Sequence, residues 1–174
     1  MHRIQEKTAP IQTAEDTSEI ILLVSTSKGG FVYYSDHKRR IWEVNGPYLL
    51  GSIVHHMILD PRDGKTILMA AQTKAHGPTI FKSSDFGMTW LPAEQTPQFN
   101  NGKKLAHIFR LCPGHTSEPG VWYAGSSPQG LFKSEDGGNI WDPVVGFNKH
   151  PHRDRWYDKE VTHSVKYQKL HSLF

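Results

Sequence analysis

The sequence predicts an all-β fold made of a four-stranded unit repeated about three times, and three observations predict it. Ile80 to Ala93, IFKSSDFGMTWLPA, recurs as Leu131 to Val144, LFKSEDGGNIWDPV, with Phe, Lys, Ser, Asp, Gly, Trp and Pro in register. The apolar runs are of strand length, and none holds a 3.6-residue period over ten or more positions. The 15 Gly, 11 Pro, 5 Trp, 6 Tyr and 8 Phe among 174 residues favour short strands joined by many turns over a helical core rich in Leu and Ala.

Residues 1–18 are polar and are expected to form a disordered tail. The first unit, 19–45, holds strands B, C and D only: the run Ile21 to Ser27, then Val32 to Val44, a degraded copy of the repeated box. That copy keeps Ser35 and Trp42 but has His37 and Arg39 where the others have Asp and Gly, so its turn is expected to be looser or differently built. The second unit, 52–93, opens with HHMILDP, His55 to Pro61, as strand A. Strand B follows at Thr66 to Thr73, strand C at Ile80-Phe81 and strand D from Trp90. The third unit, 104–145, repeats this order with HIFRLCP, His107 to Pro113, then Val121 to Ser127, Leu131-Phe132 and Trp141. A connecting loop at 146–166 leads to Tyr167 to Phe174, which reads as a lone strand A of a fourth unit.

The repeated box has a local chemistry that needs no ligand. An Asp in a turn accepts hydrogen bonds from backbone N–H groups two residues on, and Gly supplies positive φ at no steric cost. The Ser hydroxyl can bond the same loop, while Trp fills the space between sheets with its indole N–H available to a carbonyl. Ser83, Asp85, Gly87 and Trp90, with Ser134, Asp136, Gly138 and Trp141, are therefore read as structural. Trp42, Trp90 and Trp141 stand 48 and 51 residues apart, a period of one supersecondary unit.

SSDFGMTW and SEDGGNIW resemble the Asp-box, SxDxGxxW, of BNR-repeat β-propellers. More narrowly, the chain resembles the N-terminal half of bacterial exo-sialidase-like or glycosyl hydrolase-like proteins with WD40/YVTN/BNR-type repeats. Leu22 to Phe31, Gly46 to Gly64, Glu118 to Trp141 and Gly146 to Trp156 carry this likeness. The resemblance implies a β-propeller-type fold of about three four-stranded blades, half a propeller, with the boxes as hairpins between strands C and D on the outer edge. It thins after Trp156 and resumes at Leu170 to Phe174. Closure of a ring takes typically 4 to 8 blades. A homodimer in which each chain lends its terminal strand to the other, completing a six-bladed ring, is one expectation; a truncated product with exposed edges is the other.

Candidate site residues fall in two places. His55 and His107, each six residues before a Pro, match by register on strand A, and His171 takes the equivalent place near the chain end. Such histidines can meet a metal or an anionic ligand on the channel axis, or serve as hydrogen-bonded channel residues; no metal site is expected from their spacing. His56 is expected to face the other way and pack. Arg110 lies on strand A as an available cation. The second place is the connection after the third unit, where His152, Arg153, Asp154, Arg155 and Trp156 form the densest polar and aromatic cluster, either a ligand loop or a solvated surface.

The function expected is a propeller module binding a ligand or partner through its channel face, with carbohydrate as a candidate ligand and no cofactor. The alternative is a glycoside hydrolase, inactive if its second half is missing. Such an enzyme generally needs two flanking carboxyl groups, or a Tyr nucleophile in sialidases. The resemblance would add an arginine triad and an Arg-Ile-Pro-type motif, and the sequence shows neither; catalytic residues are unassigned. Asp60 and Asp63 read as a turn. A net charge of +3 argues against a nucleic-acid partner. With no leader and no apolar run near the roughly 18 residues of a span, the expectation is a cytoplasmic chain without a membrane segment. Cys112, in an apolar run, is expected to be a buried, inert thiol.

Overall fold

The computed structural model describes residues 20–156. The expected tail at 1–18, the connection beyond Trp156 and the terminal strand at 167–174 with His171 lie outside the described residues. The described chain is nearly all β and forms three antiparallel sheets in succession. β1 (Ile20–Thr26), β2 (Gly29–Ser35) and β3 (Trp42–Tyr48) make the first, of three strands. β4 (Ile53–Leu59), β5 (Ile67–Thr73), β6 (Gly77–Ser83) and β7 (Leu91–Pro92) make the second. β8 (His107–Pro113), β9 (Trp122–Ser127), β10 (Gly130–Ser134) and β11 (Asp142–Pro143) make the third. A single helical turn, α1 (Val145–Asn148), and a 3-10 turn at Arg153–Arg155 follow.

Each sheet is a meander, and the first strands of neighbouring sheets lie against one another, β1 on β4 and β4 on β8. The architecture is β-propeller-type: blades side by side, first strands innermost, with three described strands in the first blade and four in each of the others. Burial explains why β5 reads as a continuous apolar run. Ile67, Met69 and Ala71 pack with Val32, Val54, Met57 and Phe81 between the first and second sheets. Leu68 and Ala70 pack with Ile80, Ile108, Leu111, Trp122, Ala124, Phe132 and Trp141 between the second and third. A strand covered on both faces has no polar side to alternate. Each such Ile or Leu contributes about 1.5–3 kcal/mol on burial.

Strand D departs from the expectation that it begins at the Trp. In the second and third sheets it begins one residue later and is two residues long, Leu91–Pro92 and Asp142–Pro143. The cause is the proline in each, which lacks the N–H a longer ladder needs. In the first sheet Val44 pairs with Tyr33 in place of that proline, and the strand runs on to Tyr48. Cys112 is half-buried rather than buried, because it alternates with the fully buried Leu111 and so lies on the face of β8 turned from the second sheet.

The repeated turns close on their own side chains. Ser83 Oγ accepts from the Gly87 N–H at 2.7 Å and donates to the Asp85 carboxylate at 2.7 Å, while Thr89 donates to Asp85 from its backbone at 2.9 Å and its hydroxyl at 2.7 Å. Ser134 and Asp136 do the same with the Gly138, Asn139 and Ile140 N–H groups. The indoles of Trp90 and Trp141 donate to the Gly87 and Gly138 carbonyls at 3.0 and 2.9 Å. In the first turn the serine, Ser35, donates instead to the Ile41 carbonyl at 2.6 Å, and Arg39 takes the positive φ, 53°, that Gly87 and Gly138 take at 88° and 93°. Trp42 is 39% exposed where Trp141 is fully buried.

Candidate functional site

Two β-bulges build the inner-strand surface. In β4, Val54 pairs with Ala71 and His56 with Ala70, leaving His55 as the extra residue; in β8, Ile108 pairs with Ser126 and Arg110 with Gly125, leaving Phe109. The buried anchors Val54 and Met57 therefore answer to Ile108 and Leu111. This corrects the register read from the prolines: His55 takes the place of Phe109 and His56 that of Arg110, while His107 answers to Ile53. The bulge also breaks strict alternation, so His56 does not turn away from its neighbour. Both histidines face β8.

The inner strands nonetheless bring His55 and His107 together. His55 Nε2 lies 3.1 Å from His107 Nδ1, and the ring of Phe109 lies 4.8 Å from the first and 5.3 Å from the second. Next to this aromatic corner, His56 Nε2 is 3.2 Å from Arg110 Nη1, and the Leu111 backbone N–H reaches His56 Nδ1 at 3.3 Å. Burial, reinforced by the Arg110 charge, pushes the His56 imidazole down to about 4, so the ring is neutral near pH 7. Phe109 and His56 are residues that the sequence reading did not assign to the site. The spacing Val-x-x-Met and Ile-x-x-Leu, three between core positions where a regular strand gives two, was the signal that locates them.

The segment after the third blade stands at the same end of the sheet as His107, since β8 begins and β9 turns into β10 there. Asn148 extends the pairing of β10, accepting from the Leu131 N–H at 3.0 Å and donating to its carbonyl at 2.7 Å. Arg153 is turned inward: it donates to the carbonyls of Gln129 and Asn148, and its guanidinium lies 5.6 Å from the Phe99 ring centroid. Its Nε is buried and makes no hydrogen bond among the described residues. Trp156, 47% exposed, stacks on His150 at 4.8 Å and Phe147 at 5.2 Å, and His152 lies against His150 at 5.4 Å. Arg155 is exposed, and Asp154 lies within the 3-10 turn.

The opposite end of the blades is structural. The Asp60 carboxylate accepts from Arg62 Nε and Nη2, each at 2.8 Å, and Arg62 also donates to the Glu118 and Val121 carbonyls while its guanidinium covers Trp122 at 5.1 Å. This pins the second blade to the third. Asp63 accepts from Lys65 and Thr66 within its own turn. Desolvation raises the Asp85 and Asp136 carboxyls, but the turn hydrogen bonds together outweigh it and hold both below the usual carboxylate range. Among the described residues no group of three or more His, Cys, Asp or Glu side chains is placed to hold a metal ion, and no helix is long and apolar enough to cross a membrane.

Fold and site define a β-propeller-type module with an aromatic and basic inner surface. Neither a family model nor a curated protein matches the chain. Among solved structures it is similar to YCF48 bound to a D1 peptide, with 12% identity over 79% of this chain and 45% of that one and a TM-score of 0.45. It is likewise similar to YCF48 from Cyanidioschyzon merolae, with 14% identity over 87% of this chain and 45% of that one and a TM-score of 0.47. The chain thus spans 45% of the length of each. The fold reading rests on the three sheets themselves.

Proposed function

We propose that the chain is a binding module that takes its ligand or partner on the inner-strand surface. The observation that carries this reading is the convergence of His55, His107 and Phe109 from two neighbouring blades, next to the His56 and Arg110 pair. Rings presented edge and face at the inner strands suit a planar or sugar-like ligand, and carbohydrate is the first class to try. Arg155 and Trp156 of the following segment, at the same end of the third blade, would flank this surface, with His152 beside them. Assignment of the two closed turns to the Asp-box of BNR-type propellers is supported by their shared serine, aspartate and indole bonding.

The glycoside hydrolase alternative is the weaker reading. It needs paired carboxylates at the site, and Asp60, Asp63, Asp85 and Asp136 are held in turns by the hydrogen bonds above. Binding is tested by following the imidazole and Phe109 ring signals by NMR while panels of neutral and acidic oligosaccharides and short peptides are added. Saturable shifts of His55, His107 and Phe109 that vanish in the His55→Ala, His107→Ala double variant support the surface. Ligands that shift only other residues, or none, overturn it. Light scattering tests the homodimer: a mass of two chains supports the six-bladed ring, and a mass of one counts against it.

A further inference from the structure

We propose that His56 and Arg110 form a recognition site for an oxyanion, a carboxylate or a sulfate or phosphate group carried by the ligand. The site belongs to the inner-strand surface read above as the binding surface, and so rests on that reading while naming the chemistry it selects. A neutral imidazole has one lone-pair nitrogen, yet two donors converge on His56: the Leu111 backbone N–H on Nδ1 at 3.3 Å and Arg110 Nη1 on Nε2 at 3.2 Å. Only one of them can be accepted. In the tautomer whose Nδ1 accepts from the backbone N–H, a donor of fixed direction, the ring proton sits on Nε2. Nε2–H and the guanidinium then confront each other as two donors with nothing between them to accept.

Arg110 adds a second, independent observation. Its Nε is buried and has no hydrogen-bond acceptor, and no carboxylate lies within ion-pair distance of its guanidinium, among the described residues. A cation with no counter-charge, beside an imidazole N–H in conflict with it, is relieved by one kind of group: an oxygen bearing negative charge that accepts from both. Imidazolium at His56 would not relieve the conflict, since it adds a charge of the same sign. The aromatic corner of His55, His107 and Phe109 lies alongside, where the uncharged body of such a ligand would rest.

The test is an NMR titration of the whole chain with sodium sulfate and, separately, sodium acetate, ionic strength being held constant with sodium chloride. The signals followed are Arg110 Nε–Hε and the His56 ring. Arg110 faces His56, and His55 and His107 lie on the same two strands, so both other imidazoles are followed as well. Saturable shifts of both groups, with the His56 titration midpoint moving upward as the anion binds, are the expected result. Tighter binding of acetate assigns a carboxylate, and tighter binding of sulfate a tetrahedral group. Arg110→Gln abolishes saturation, and Arg110→Lys, which keeps the charge without the planar fork, weakens it about tenfold. If Arg110→Gln loses the wild-type backbone spectrum, His56→Leu gives the same readout on Arg110. Shifts that grow linearly with any salt, or saturation that survives Arg110→Gln, overturn the site. Failure of both anions while a panel ligand still shifts His55, His107 and Phe109 removes the anion site and leaves the binding surface; saturation by anions with no panel ligand bound does the reverse.

Discussion

At His56, burial and the Arg110 guanidinium act in one direction, and the consequence reaches stability. The unfolded chain takes up a proton at this imidazole near pH 6.5, whereas the folded chain does so only near pH 4. Between these values the unfolded state binds more protons, so stability falls as pH falls from 6.5 toward 4. Urea midpoints at pH 7 and pH 4.5 should show this loss, and His56→Gln should flatten it. The Asp85 and Asp136 carboxyls act in a lower window, because their folded values are depressed: their stabilisation is present above the unfolded value near 3.8 and is lost as pH falls below it. Two substitutions between glycine and a larger residue give opposite outcomes. A Cβ on Gly130 would sit 2.6 Å from Phe99 Cζ and 2.8 Å from Ser126 Oγ, so Gly130→Ala should cost about 1–3 kcal/mol in urea unfolding. Arg39→Gly should stabilise by up to about 1 kcal/mol, since Arg39 holds a left-handed φ of 53° that glycine adopts without strain.

At the scale of the element, the repeated turn is the most self-contained piece of the molecule. Ser134 is 1% exposed and its hydroxyl serves both the Gly138 N–H and the Asp136 carboxylate. Ser134→Ala leaves that N–H buried without a partner and should cost about 1–3 kcal/mol by chemical denaturation. Ser35→Ala removes a single bond to a carbonyl and should cost less, about 1 kcal/mol. These turns were legible because their bonds run between residues two to four apart, so spacing alone places them. The inner strands were less so. His55 and His107 were singled out from the sequence, but their pairing by distance to the next proline took the two prolines as equivalent. Pro113 ends β8 whereas Pro61 lies two residues beyond β4, so the count is two positions out, and the bulge at the third residue of each strand carries no glycine to mark it.

At the scale of the whole molecule, apolar layers join the described blades, and an ion pair anchored at Arg62 helps to hold the second to the third. Arg62, with its side chain 10% exposed, ties Asp60 of the second blade to two carbonyls of the third and covers Trp122. Arg62→Ala leaves a buried carboxylate and two carbonyls without their donor and should cost about 3–5 kcal/mol, with loss of protection in hydrogen exchange at both ends of the interface. The local reading of DPRDG as a turn held for both Asp60 and Asp63, each of which accepts from backbone N–H groups of its own loop. The partners of Arg62 are 56 and 59 residues away in sequence, so no spacing announces them.

The sequence by itself determined the all-β class, the repeated unit and the closed turns, because each depends on short-range periodicity and on the φ preferences and hydrogen bonds of nearby residues. Only the tertiary structure decided which side chains meet: His55 with His107, His56 with Arg110, Arg153 with Phe99, and Arg62 with the third blade. Those contacts depend on how strand bulges rotate a side chain and on which blade lies beside which. Both are set by the burial of distant apolar residues such as Val54, Met57, Ile108 and Leu111 rather than by any motif in the chain.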